Sequence, residues 1–122
     1  MRFVFGALLI LVSAGLLASS CQSLALSGPK KFKVDLQNVL VNMDREITND
    51  GHVSDKTSAK LDAVLLKYQG EYAKLGSFMT AQQIQITLQQ VKTEPNNEFN
   101  LNKSIMMNIS EVNDMLKTEV QS

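Results

Sequence analysis

Three kinds of side chain in this 122-residue chain could carry chemistry, and each is scarce or isolated. Cys21 is the sole thiol, His52 is the sole imidazole, and the carboxylates number twelve. One thiol can neither close an internal disulfide nor complete a zinc site, and His52 with Asp50 and Asp55 beside it falls short of a metal ligand set. No serine lies in a nucleophile motif, and there is no glycine-rich phosphate loop. Catalytic, metal and cofactor roles are therefore not expected, and neither is a small-molecule substrate. Twelve Lys plus Arg balance twelve Asp plus Glu, so the basic excess of a nucleic-acid binder is missing as well. What is left is one thiol as an acylation site and the placing of charge along the chain.

The thiol has a telling context. After Arg2, residues Phe3 to Ser20 carry no charge and end in Ala18, Ser19 and Ser20, the pattern of an export signal. Two alternatives compete with it. A permanent anchor is one, because about 18 apolar residues is near the lower limit for a span. Ordinary secretion is the other, although it leaves a lone thiol in an oxidising compartment. The run Leu17-Ala18-Ser19-Ser20-Cys21 resembles the lipobox of bacterial lipoproteins, with Ala18 in place of the commoner Leu, as in the relaxed boxes of spirochaetes. On this reading residues 1–20 are a lipoprotein signal peptide, Cys21 is the lipidation site and mature N-terminus, and residues 21–29 are a lipidated tether. Gln22 to Pro29 has a linker composition. Eight extended residues reach at most about 28 Å, so a domain at 30–122 would sit near the bilayer.

From Lys30 the apolar residues take up helical spacing. Phe32, Leu36, Val39, Leu40, Met43 and Ile47 fall on one stripe, and Thr48-Asn49-Asp50-Gly51 predicts a stop. Ser54 or Asp55 can cap a second helix with Leu61, Val64, Leu65, Tyr68, Tyr72 and Leu75 on its buried face. Gly76 marks the next turn, and Thr80-Ala81-Gln82-Gln83 has the form of a capping box, with Met79 and Ile84 placed as a staple. A third helix to about Lys92 would bury Ile84, Leu88 and Val91. The alternation of Ile84, Ile86 and Leu88 also fits a strand, and the cap favours helix. After Pro95 and an Asn-rich connection, Leu101, Ile105, Ile109, Val112 and Leu116 predict a fourth helix. The expected fold is all-α, a small antiparallel bundle of about four helices. Met43, Met79, Met106, Met107 and Met115 are expected to fill gaps in its core.

Folded onto such a bundle, the charges separate. Asp44, Glu46, Asp50, Asp55, Glu94 and Glu98 gather at the end far from the tether, opposed by Arg45, Lys56 and Lys92. Lys30, Lys31 and Lys33, with Lys67, Lys74 and Lys117, gather at the membrane-proximal end. Helix dipoles account for Asp55 and Glu98 at helix starts, but Asp44, Glu46 and Asp50 near a C-terminus and the three lysines at an N-terminus oppose them. The basic pole would assist a lipid anchor at anionic head groups. The acidic pole would take a basic partner, weakly and with fast exchange, since few apolar anchors remain exposed there to slow departure.

The segment Phe32-Lys33-Val34-Asp35-Leu36-Gln37-Asn38-Val39-Leu40, followed by Met43-Asp44-Arg45-Glu46-Ile47, together with the relaxed lipobox and a mature chain of about a hundred residues, resembles the small treponemal surface lipoproteins of the factor H-binding protein B family. The likeness covers nearly all of 21–122. It implies a compact helical lipoprotein of the outer membrane, exposed at the cell surface, that captures host complement factor H and so evades the alternative pathway. Factor H is built of small modules, some with basic polyanion-binding patches, which an acidic pole would complement. A structural or assembly lipoprotein that docks another envelope protein through a helical groove is the alternative.

Overall fold

The computed structural model describes residues 28–120, so the segment expected to be a signal peptide, the lipidation site expected at Cys21 and the expected tether up to residue 27 lie outside the described residues. Within them run α1 (Gly28–Asp50), α2 (Asp55–Tyr72), α3 (Gly76–Thr93), a 3₁₀ turn (Pro95–Asn97) and α4 (Glu98–Glu119), with no strand among the described residues. Each helix packs on the next, α1 closes on α4, and the two diagonal pairs keep their backbones apart and meet only through core side chains such as Phe32 and Phe78. This is an all-α, up-down four-helix bundle. The α3–α4 contact is the most extensive and the α1–α4 contact the least.

The apolar stripes go where helical spacing sends them. Phe32, Leu36, Val39, Leu40 and Met43 of α1 are buried against Leu61, Leu65 and Tyr68 of α2, Ile84 and Leu88 of α3, and Ile105, Ile109, Val112 and Leu116 of α4. Each such aliphatic side chain contributes about 1.5–3 kcal/mol on burial. Near the start of α1 the core is aromatic: the Phe32 ring stacks on Tyr72 at 4.9 Å between centroids and meets Tyr68 edge-on at 5.2 Å. The Tyr68 hydroxyl donates to Asp35 at 2.6 Å, and Lys67 stands 3.7 Å from the same carboxylate. Burial, then the Asp35 carboxylate, pushes the Tyr68 phenol well above its usual range.

Several boundaries differ from expectation. Gly28 and Pro29, assigned above to the tether, open α1. Proline is accepted in a first turn because its missing N–H has no helical partner there in any case. Gly28 is also a packing site: a Cβ on it would lie 2.6 Å from the Tyr72 hydroxyl oxygen. Gly51 ends α1 with φ 72°, the left-handed conformation that glycine adopts cheaply, and its N–H bonds the Ile47 carbonyl at 3.0 Å. Helix α2 stops at Tyr72, three residues short of Leu75.

The proposed cap at Thr80 is wrong. α3 starts a full turn earlier, at Gly76, and its N-cap residue Leu75 makes no side-chain cap bond. The carboxylate of Glu119, from the end of α4, accepts from the Ser77 N–H at 3.1 Å in its place. Fully buried Phe78 and Ala81 hold this extra turn in the core. Residues 84–91 are helical, with Ile84, Leu88 and Val91 buried and Ile86 exposed, so the three-four spacing prevails over the alternation. The methionines depart further: Met43 is buried, Met115 is half-buried, and Met79, Met106 and Met107 face solvent.

Candidate functional site

The up-down path carries the α1–α2 turn and the α3–α4 connection to the end of the bundle distal to Gly28, and side chains tie them together. Asn102 of α4 donates through Nδ2 to the Gly51 carbonyl at 3.0 Å. His52 Nδ1 is in contact with Glu98 Oε2, and Lys92 Nζ lies 3.8 Å from Asp55. The six carboxylates grouped by sequence reasoning therefore do share one end. They are not equivalent there.

Glu46 holds the fold. Its Oε1 accepts from the Ser54 N–H at 2.7 Å and its Oε2 accepts from the Thr57 hydroxyl, so a carboxylate on α1 closes the N-terminus of α2. Ser54 Oγ, the local cap, accepts from the Thr57 N–H at 3.2 Å. Partial burial raises the Glu46 pKa, but the hydrogen bonds from Thr57 and Ser54, with Arg45 nearby, outweigh it and set the pKa below the ordinary carboxylate value. Glu98 faces His52, and Asp55 has Lys92 within reach across solvent. Asp50 and Glu94 are exposed, Asp44 is half-buried, and none of the three has an ion-pair partner among the described residues.

Two features of this end were not anticipated. Phe99, beside Glu98, is 71 % exposed, and the Lys103 ammonium lies 4.6 Å from its ring centroid. With Ile47 and Met106 it borders a groove of about 300 Å³ between the end of α1 and the start of α4. Lys103 adds a fourth cation to Arg45, Lys56 and Lys92, and Lys60, as far into α2 as Lys103 is into α4, adds a fifth, so the carboxylate excess at this end is six against five. The other feature is Asn102, which is 6 % exposed and whose Oδ1 has no hydrogen-bond partner. It lines a second cleft of about 440 Å³ with His52, Asp55, Leu88, Lys92 and Glu98. Phe99 had a signal in the sequence, since it stands out of phase with the Leu101–Leu116 stripe of its own helix. Asn102 had none, because its partner Gly51 is 51 residues away.

At the opposite end, Lys30 and Lys31 project from the first turn of α1 and Lys33 is half-buried. Lys67 is engaged with Asp35, and Lys117 lies 3.7 Å from Asp114. Among the described residues no three His, Cys, Asp or Glu side chains converge as metal ligands, and no helix is long and apolar enough to cross a membrane. Comparison with protein families, with curated proteins and with solved structures finds no match for this chain.

Proposed function

We propose that this chain is a lipid-anchored outer-membrane protein, exposed at the cell surface, that holds host complement factor H at the distal end of its bundle and does no catalysis. One observation carries the reading. The end opposite the start of α1, and so opposite a tether at Cys21, presents the exposed carboxylates of Asp50, Asp55 and Glu94, the half-buried one of Glu98 beside His52, and the exposed ring of Phe99 beside Lys103. Carboxylates of this kind steer a basic surface into encounter, and a solvent-facing aromatic is the side chain best suited to hold it there. Exchange should therefore be slower than charge alone would give. The identity of the partner comes from the resemblance of residues 32–47 and from the basic patches on factor H modules. At the other pole Lys30, Lys31 and Lys33 would rest against anionic head groups beside the lipidated Cys21.

The Phe99 groove also favours a second reading, an envelope assembly lipoprotein that docks a helix there. Protease treatment of intact cells separates the two, because it removes a surface protein and spares a periplasmic one. The primary test is surface plasmon resonance of purified factor H over the immobilised full chain. Asp50→Lys with Glu94→Lys should lose binding, and Lys30→Glu with Lys31→Glu should keep it. Unchanged binding in the acidic double variant overturns the distal site. Retention of a Cys21→Ser variant in the membrane fraction overturns the lipid anchor.

A further inference from the structure

We infer that the cleft between the α1–α2 turn and the α3–α4 connection is a seat for one basic side chain, an alkyl guanidinium or ammonium, and that in the complex this side chain belongs to the partner. Only the last clause rests on the function proposed above.

The cleft is shaped for a cation on an apolar stem. Val53, Leu88, Val91 and Pro95 supply walls against which methylenes can lie, as the stems of Lys and Arg do elsewhere on protein surfaces. Its acceptors are the carboxylates of Asp55 and Glu98 and the Asn102 carbonyl, set against the Lys92 ammonium, while His52 and Ser58 can donate or accept. Glu98 has one oxygen occupied by His52 and the other without a partner among the described residues. Asp55 stands at the rim, fully open to solvent but for Lys92.

The most informative group is Asn102. Its Nδ2 is engaged by the Gly51 carbonyl, and that bond fixes which way the amide faces. The carbonyl oxygen Oδ1 is left as a buried acceptor with no donor, whereas nearly all buried polar atoms have one. A ligand that completes this site must bring donors and needs no acceptor. Guanidinium has five N–H donors and ammonium three, and neither accepts. Lys92 already rests its own ammonium 3.8 Å from Asp55, an internal stand-in for the ligand at the cleft mouth.

The test uses the full chain, ¹⁵N- and methyl-labelled in detergent micelles. It is titrated at constant ionic strength with butylguanidinium and, separately, with butylurea, an uncharged analogue of the same shape. Butylguanidinium should shift the Asn102 side-chain amide and the methyl groups of Val53, Leu88 and Val91 saturably, and butylurea should not. Glu98→Gln should weaken the binding about tenfold, the effect of losing one charge-assisted hydrogen bond. Because that variant also loses its contact with His52, Asp55→Asn provides a second reading at an exposed position. Shifts that do not saturate, or that match those from butylurea, overturn the seat. If factor H is captured and the titration is flat, the seat fails and the proposed function stands. If the titration saturates and factor H is not captured, the function fails and the seat stands.

Discussion

Replacing Glu46 by alanine removes the acceptor that two groups at the start of α2 share, the Ser54 N–H at 2.7 Å and the hydroxyl of buried Thr57. Hydrogen bonds to a charged group contribute about 1.5–3 kcal/mol, and the stranded Thr57 hydroxyl keeps only its contact with Ser54 Oγ. Because Glu46 is partly open to water, the two bonds together are discounted to a loss of about 2 kcal/mol, which lowers Tm by roughly 8–16 °C in a domain of this size, at about 4–8 °C per kcal/mol. Glu46→Gln, which keeps one acceptor oxygen, should lose about half as much. The pH dependence identifies the cause. The Glu46 pKa in the folded protein lies below the ordinary 4.5, because the hydrogen bonds outweigh the opposing effect of burial. The unfolded chain therefore takes up the proton first as pH falls, and stability falls with it. The contribution is complete above about pH 4.5 and is lost as pH drops through the folded value. Thermal melts by circular dichroism from pH 7 to pH 2.5 should show Glu46→Gln below wild type at neutral pH and the two converging in acid. A Glu46→Ala variant that melts with wild type, or a deficit in Glu46→Gln that does not change with pH, would refute the capping role.

Phe99→Ala should leave the melting temperature within about 2 °C, since an exposed side chain outside any buried network changes stability by about 0.5 kcal/mol or less. Its factor H dissociation rate should rise about fivefold or more by surface plasmon resonance. Tyr68→Phe should flatten alkaline denaturation. The folded phenol is held above its usual value of 10, so above about pH 10 the unfolded chain loses a proton that the folded one keeps, and stability falls by about 1.4 kcal/mol per pH unit. Urea titrations between pH 9 and pH 11 should show that slope in wild type and a shallower one in the variant. Gly51→Ala should cost about 1–2 kcal/mol, because alanine must enter the left-handed conformation at φ 72°, and a urea midpoint measures it.

The helices and most of the core were legible because their signal is local. Spacings of three and four name Phe32, Leu36, Val39, Leu40 and Met43, or Ile105, Ile109, Val112 and Leu116, without reference to anything distant, and Gly51 stops a helix by its own conformational freedom. The failure at Thr80 has a physical reason. A sequence pattern finds caps within three residues, whereas α3 is capped by a carboxylate 42 positions away. The same distance hid the difference among the carboxylates. Glu46, Asp50 and Glu98 look alike as charges near one end, and only the packing reveals that the first caps a helix, the second is open and the third faces His52. Likewise, nothing local states that Asn102 binds the turn at Gly51 with half its amide and leaves the other half bare.

The junctions between helices are fastened by side chains from elsewhere in the chain: the start of α2 by Glu46 of α1, the start of α3 by Glu119 of α4, and the turn after α1 by Asn102 of α4. Short helices in isolation are marginal in water, since the first turn must be fixed before bonding repays it. Here the stabilisation of those first turns arrives only when remote segments are already in place. Peptides spanning α2 alone, or the α2–α3 hairpin, should therefore be largely unstructured, and truncating the chain before Glu119 should weaken α3 at its far-off beginning. Folding becomes an all-or-none event in which α4 closes α3, so a nascent chain gains its α3 terminus only after the turn that carries Glu119 has been synthesised.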